Sequence, residues 1–235
     1  AIQILLLLLI VRPLESLMPV EHWPNRKGTR LDIVYTLLER SGLLPLIFFL
    51  TLRPLTAGTD GWLRMHGWVL PNLEDLIPAL AGLPFLSFLA YLIIIDAAEY
   101  LRHRLQHRFN WWWELHALHH SQQMMSFWSD DRNHLLDSAI GWIWAASIAL
   151  LIGVPPGQFI LLVNAGRLLE SLSHANVRMT FGKWGQRLLV SPHFHRVHHA
   201  VGAGHEGRYF GCNFGILFPW WDMLLGTANF TPVFP

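Results

Sequence analysis

At 235 residues, 52% apolar and only 14% charged, with a mean hydropathy of +0.32, the chain gathers its apolar residues into blocks too long for one soluble domain of this size to bury. A net charge of +1 without any long basic run excludes nucleic acid as a partner. A single cysteine, Cys212, excludes an intrachain disulfide and a thiolate-held iron–sulfur cluster, which needs about four. A membrane protein is expected, and no stretch resembles a linker, so residues 1–235 are read as one domain.

Residues 2–11 are aliphatic throughout and stop at Arg12-Pro13. That run is too short for a bilayer core of about 30 Å, so the first membrane helix is expected to draw on residues ahead of Ala1 or to continue to Leu17. Pro19, His22, Pro24, Arg26, Lys27 and Arg30 mark a polar, basic loop. A second span is predicted over residues 31–52, in which Asp32, Glu39 and Arg40 must face protein, pair or sit near an interface. Residues 53–77 read as a loop with Gly, Pro, Trp and few cations. Pro78 then opens a helix whose apolar run, 80–95, is the strongest in the chain and carries straight on into Asp96, Glu99, Tyr100 and His103.

Residues 135–152 and 159–172 are apolar arms around the turn Gly153-Val-Pro-Pro-Gly157, short enough for either a spanning or a re-entrant hairpin. Both forms return the chain to the side it left, so His134 and His174, at the two ends of the hairpin, share one side of the membrane. The first loop lies on that side and is richer in Arg and Lys than the second, which makes the side cytoplasmic by the positive-inside rule. From Ser191 onward no further span is predicted, and a cap over the helix ends is expected. Trp111, Trp112, Trp113, Trp220 and Trp221 read as headgroup anchors, with a grip on substrate as the alternative. The expected fold is all-α: a multi-pass membrane bundle of about four or five membrane helices, the last two a short hairpin, with a cytoplasmic histidine-rich helical cap.

The histidines are clustered. His103 and His107 stand one helical turn apart, His116, His119 and His120 form H-x-x-H-H, and His195, His198 and His199 repeat it, with His134 and His174 between. At about 3.6 residues per turn, His103 and His107 share one helix face and His116, His119 and His120 another. A lone histidine is most simply a core or interface residue. Neutral imidazole is nevertheless the commonest metal ligand, and ten rings exceed what one four- or five-coordinate ion can use, which points to two metals. A metal-bound ring needs an acceptor for its other N–H, and Asp96, Glu99, Asn213 and Asp222 are the candidates. No flavin, haem or cluster motif occurs, so electrons for an oxidation must come from a separate protein. Gly202-Ala-Gly204-His-Glu-Gly207 fits G-x-G-x-x-G without a preceding strand or a following βαβ helix and carries no weight as a nucleotide site. Asn229-Phe-Thr231 is a glycosylation sequon that the expected topology turns to the cytoplasm. G-x-S-x-G, P-loop and H-E-x-x-H patterns are absent.

The order His103-x-x-x-His107, His116-x-x-His119-His120, Arg132-x-His134, His174-Ala-Asn176, His195-Arg-x-His198-His199, Asn213-Phe-Gly215, Trp221-Asp222 and Gly226-Thr227 resembles the fatty acid hydroxylase / sterol desaturase superfamily over roughly residues 96–227. The resemblance implies a membrane enzyme with a histidine-bound di-iron centre that uses O2. It implies ten ligands, His103, His107, His116, His119, His120, His134, His174, His195, His198 and His199, with His193 outside the set as a supporting group. Asn133-His134-Leu135 replaces an aromatic-His-Pro, Phe214 replaces a Tyr, and residues 122–131 depart from the family pattern, where they are expected to shape the substrate side. Zinc can replace iron in a purified sample. The implied function is hydroxylation of an unactivated C–H bond in a lipid or other apolar substrate drawn from the bilayer, with O2 and an electron-donor protein. Desaturation by the same site is the alternative, because the two outcomes differ by about an ångström of substrate placement. A non-catalytic metal-binding membrane protein is the rival from another class.

Overall fold

The structure is a computed structural model and describes residues 2–23, 25, 27–202 and 211–235. Pro24, Arg26, His205 and most of the G-x-G-x-x-G stretch lie outside the described residues. Every described element is helical. α1 (Ile2–Leu6) passes through a π-helical turn, Leu7–Val11, into α2 (Arg12–Leu17), so the first aliphatic run continues to Leu17 as expected. Glu15 on this rod is buried, and its Oε1 accepts the backbone N–H groups of Phe127 and Asn176 at 3.0 and 3.1 Å.

The span predicted over 31–52 is two helices, α3 (Thr29–Arg40) and α4 (Leu43–Met65). Gly42 separates them at φ 98°, a left-handed conformation that glycine adopts without a Cβ clash. The loop predicted at 53–77 is also corrected, since α4 runs to Met65. Its polar residues are satisfied locally: Thr51, Thr56 and Thr59 donate to the carbonyls of Ile47, Arg53 and Leu55, and Arg64 pairs with Asp60 one turn back.

α5 (Leu73–Leu76) begins with a capping box between Asn72 and Asp75. After a 3₁₀ turn, Pro78–Leu80, comes α6 (Pro84–Arg108), 25 residues and about 37 Å long. Among the described residues α6 is the one helix long and apolar enough to cross a membrane. α7 (Asn110–His116) follows, then the hairpin of α8 (Leu135–Leu151) and α9 (Pro156–His174), close to its predicted limits. Three short helices complete the chain: α10 (Gly182–Gly185), α11 (Pro192–His199) and α12 (Trp220–Leu225). α6 packs against α7, α8 and α9, and α11 packs on α9.

Polarity is inverted relative to a water-soluble protein. Leu46, Phe49, Leu50, Ile160 and Leu161 are each more than half exposed, while Asp32, Glu39, Arg40, Asp130 and Asp131 are buried. The buried charges are paired: Arg40 reaches Asp130 at 2.6 Å and Asp131 at 2.5 Å, and Arg132 reaches Asp32 at 2.5 Å. Such pairing offsets the cost of removing the charges from water.

Candidate metal centre

Four helix ends converge on one point. The last turns of α6 carry His103 and His107, α7 ends at His116, and a 3₁₀ turn, His119–Ser121, presents His119 and His120. α9 ends at His174. α11 carries His195, His198 and His199, and its start is fixed by Pro192 and by Ser191, whose hydroxyl accepts the N–H of Phe194. Their ring nitrogens form two groups, each with one ligand atom per residue and all atoms within 4.8 Å of one another: His103, His107, His116, His120 and His198, and His119, His174, His195 and His199.

The spacing within the groups fits a cation. Nε2 of His174 lies 3.1 Å from Nε2 of His119 and 3.0 Å from Nε2 of His195, which lies 3.1 Å from Nε2 of His199. In the other group, Nε2 of His198 and His120 are 3.2 Å apart. Two imidazoles on one ion at about 2.0–2.1 Å have nitrogens about 2.9–3.4 Å apart, from right-angled to tetrahedral geometry. Nε2 of His103 and of His116 are buried without a hydrogen-bond partner among the described residues, an expensive state for a polar atom unless it binds an ion.

The opposite edge of several rings is anchored. Nδ1 of His103 donates to the carbonyl of Phe214 at 2.9 Å and Nδ1 of His198 to that of Cys212 at 2.8 Å. Nδ1 of His174 donates to the carbonyl of Glu170 at 2.9 Å and lies 3.3 Å from Oδ1 of Asp130. Nδ1 of His116 donates to Oδ2 of Asp137 at 3.2 Å. Each bond leaves an Nε2 lone pair facing the group. Asp137, Asp130 and three backbone carbonyls thus anchor these four rings.

Asp96, Glu99, Asn213 and Asp222 are engaged away from the imidazoles, which corrects that expectation. Asp96 accepts the N–H groups of Leu217 and Phe218 and the indole N–H of Trp221. Glu99 pairs with Arg102 at 2.7 Å. Asp222 accepts the N–H groups of Phe214 and Gly215, each at 2.8 Å, and the Thr227 hydroxyl; burial pushes its carboxyl up to about 6 against these bonds. Asn213, at φ 58°, donates to the carbonyls of Phe194 and Asn229. Asp222 and Asn213 therefore fix the loop whose Cys212 and Phe214 carbonyls hold His198 and His103. Asp137 had a signal in the sequence, an acid in the first turn of an apolar helix.

His134 is exposed and outside both groups, and its Nδ1 accepts the N–H of Leu136 as the N-cap of α8. His193 faces the chain's last residues, with Nε2 2.9 Å from the carbonyl of Val233. Two of the predicted tryptophan anchors are hydrogen-bond donors instead: Trp112 to Asp137 and Trp221 to Asp96, each at 2.8 Å. Trp111 is exposed, and Trp113 lies against His107 and His120.

Burial, reinforced by neighbouring imidazoles, holds His116, His119, His120, His195 and His199 well below the ordinary histidine value. That depression favours the neutral ring, the form that binds metal. Burial pushes the Cys212 thiol up to about 11, so it is no competing thiolate ligand. A cavity of about 210 Å³ opens on His103, His116, His119 and His195 and extends between α6, α8 and α9.

Residues 88–227 match the model of the family described as Fatty acid hydroxylase. The chain is 30% identical over 227 residues, 95% of its own length and 65% of the relative's, to the ornithine lipid hydroxylase of Rhizobium tropici. It is 28% identical over 134 residues, 57% of its length and 28% of the relative's, to the alkylglycerol monooxygenase of Homo sapiens. It is 26% identical over 217 residues, 88% and 59% of the two lengths, to the Delta(7)-sterol 5(6)-desaturase of Gibberella zeae. The chain spans less than two thirds of each of these relatives. No solved structure matches it. Because the matched stretch takes in both histidine groups and more than half of the sequence, the chain belongs to the fatty acid hydroxylase family.

Proposed function

We propose that the chain is a membrane-embedded, single-domain lipid hydroxylase that holds two iron ions, one among His103, His107, His116, His120 and His198 and the other among His119, His174, His195 and His199. The observation that carries this reading is the juxtaposition of two imidazole groups with a cavity that opens on both and becomes apolar at its far end. Bound iron would supply the redox chemistry by which O2 attacks an unactivated C–H bond, and Zn²⁺ can take the same sites without it. The overall balance is one C–H bond, one O2, two electrons and two protons giving one alcohol and one water.

The chain's own residues set the stage. Asp137, Asp130 and the carbonyls of Phe214, Cys212 and Glu170 fix the rings, and the two carboxylates partly balance the charge that neutral ligands leave on the metals. Leu92, Ile95, Ala145, Phe159 and Leu162 form an apolar wall that excludes water and accepts hydrocarbon. α6 spans the bilayer, the hairpin of α8 and α9 lies beside it, and the rods α1–α2 and α3–α4 complete a bundle of four or five membrane helices. The histidines, residues 191–202 and residues 211–235 form a cap on the cytoplasmic side, where a separate electron-donor protein can reach them. The likeness to a sterol desaturase favours a second reading, desaturation at the same centre, in which two hydrogens leave and both oxygen atoms end as water.

Iron-loaded protein in lipid vesicles, given a chemical reductant and O2, tests the function. Two iron ions per chain and a lipid product heavier by one oxygen, or lighter by two hydrogens, are expected. Neither product from the iron-loaded protein would refute it.

A further inference from the structure

Asp32, Thr36 and Arg40 recur every fourth residue along α3, so they share one face, and all three are buried. Each takes hold of the same short stretch, residues 128–132, which contains the 3₁₀ turn Ser129–Asp131. Asp32 pairs with Arg132 at 2.5 Å, and the Thr36 hydroxyl donates to the carbonyl of Trp128 at 3.1 Å. Arg40 forks onto two neighbouring acids, its Nε donating to Asp131 at 2.5 Å and its Nη2 to Asp130 at 2.6 Å. Burial in an apolar bundle explains why each charge has a partner. It does not explain why one helix face should seize one short turn.

The turn so held reaches the metal centre. Oδ2 of Asp130 accepts from Arg40 and from the Ser171 hydroxyl, each at 2.6 Å, and Arg40 also donates to that hydroxyl at 2.7 Å. With Oδ2 taken, Oδ1 is the atom left for Nδ1 of His174, 3.3 Å away. Ser171 and His174 stand three residues apart on α9, so Arg40, Asp130 and Ser171 close a triangle of hydrogen bonds beside that ring. Nε2 of His174 lies between two other ligand atoms of its group, 3.1 Å from His119 and 3.0 Å from His195. In the other group the carboxylate behind His116, Asp137, is held by neutral donors, Gln106 and Trp112.

We infer that Arg40 is a positioning residue for the metal site of His119, His174, His195 and His199: it fixes Asp130, and through Asp130 the His174 ring, from a helix that lies ahead of the matched stretch 88–227. A guanidinium suits this task because its planar fork fixes several acceptors in set directions, whereas an ammonium is a single point of charge on a flexible stem. The inference rests on the proposed reading that these rings hold a metal ion.

Arg40→Lys keeps the charge and loses the fork, and Ser171→Ala removes one corner of the triangle while keeping Arg40 and Asp130. In full-length zinc-loaded protein, chelator competition followed by metal analysis reads the two ions separately, His174→Ala marking one and His103→Ala the other. Arg40→Lys is expected to release the His174 ion at a chelator concentration about 10-fold lower and to leave the other ion unchanged. Ser171→Ala should shift the same ion in the same direction. Asp130→Asn is expected to weaken that ion about 10–100-fold, and adding Arg40→Lys to it should cost nothing further, because Arg40 acts through Asp130. With cobalt in place of zinc, the ligand-field bands of one ion should change in Arg40→Lys at full occupancy, which a loss of stability alone would not produce. Release curves of Arg40→Lys identical to wild type, equal weakening of both ions, or full additivity with Asp130→Asn overturns the inference. If Arg40→Lys does not fold, Ser171→Ala decides, and unchanged curves in that variant overturn it. Selective weakening of one zinc ion in a protein whose iron form oxidises no lipid refutes the hydroxylase reading and keeps the role of Arg40. A lipid product from wild type, with release curves untouched in Arg40→Lys, does the opposite.

Discussion

Replacing Asp137 by Asn probes the ring anchoring at one atom. Oδ1 of Asp137 accepts from Gln106 and Trp112, each at 2.8 Å, and Oδ2 accepts from Gln106 at 2.9 Å and from His116 Nδ1 at 3.2 Å. Asn keeps one oxygen, which the indole of Trp112 and the Gln106 amide can retain, and puts an NH2 group where Oδ2 was. That NH2 meets the Nδ1–H of His116 donor to donor. The ring can relieve the conflict only by moving its proton to Nε2, the atom that faces the other histidines, and an Nε2–H cannot bind a metal. Either outcome costs about 1.4–2.8 kcal/mol at this site, a 10–100-fold loss of metal affinity. Chelator competition followed by metal analysis should show one of the two ions released at a correspondingly lower chelator concentration while the other is kept. Release curves identical to wild type would show that Asp137 does not act through His116.

His119→Ala and His103→Ala should each lower metal content, because each removes a ring from a different group, whereas His134→Ala should leave it unchanged and cost about 1 kcal/mol of stability through the lost cap of α8; full occupancy in both of the first two variants would count against the ligand sets. A Cβ on Gly215 would stand 2.7 Å from the Phe218 carbonyl and 2.9 Å from Oδ2 of Asp222, so Gly215→Ala should destabilise by about 1–3 kcal/mol and loosen the loop that anchors His103; an unchanged Tm would contradict the tight approach. Buried rings whose values are depressed in the folded state stabilise it above the ordinary value of 6.5, and that contribution is lost as pH falls through the depressed values. The Tm of metal-free protein should therefore drop between about pH 7 and 5, and a flat profile would mean that the rings are solvated. With Cys212→Ser as background, a cysteine at Ser121 should resist an impermeant thiol reagent in sealed cells while one at His66 reacts; the reverse pattern would invert the proposed sidedness.

The two histidine groups were largely legible because their spacing is a local property: one turn separates His103 from His107, and H-x-x-H-H sets two rings beside a third. His134 misled because its position between clusters looks like that of a ligand, whereas its ring caps the start of α8. Asp96 and Asp222 were recognised as important acids but act on backbone amides, since a single sequence does not reveal which donors a loop brings back after more than a hundred residues, as Leu217 returns to Asp96. The same limit hid the partners of Arg40, although a buried charge in an apolar stretch announced that partners must exist. The break between α3 and α4 did leave a signal in Ser41-Gly42. The helical course of residues 53–65 ran against their Gly, Thr and Pro content; what the stretch shows is local bonding, from Thr56 and Thr59 to backbone carbonyls and from Arg64 to Asp60.

Neighbouring rings on one short turn face different groups: His119 joins His174, His195 and His199, while His120 joins His103, His107, His116 and His198. The second H-x-x-H-H is shared in the same way, with His198 on one side and His195 and His199 on the other. The distance between the two groups is therefore written into two stretches of peptide backbone, which act as a pair of rulers laid across the centre. Side-chain substitution can empty a site without altering that distance. Inserting or deleting one residue between His116 and His120, or between His195 and His199, would rotate rings of both groups away from their partners in a single step.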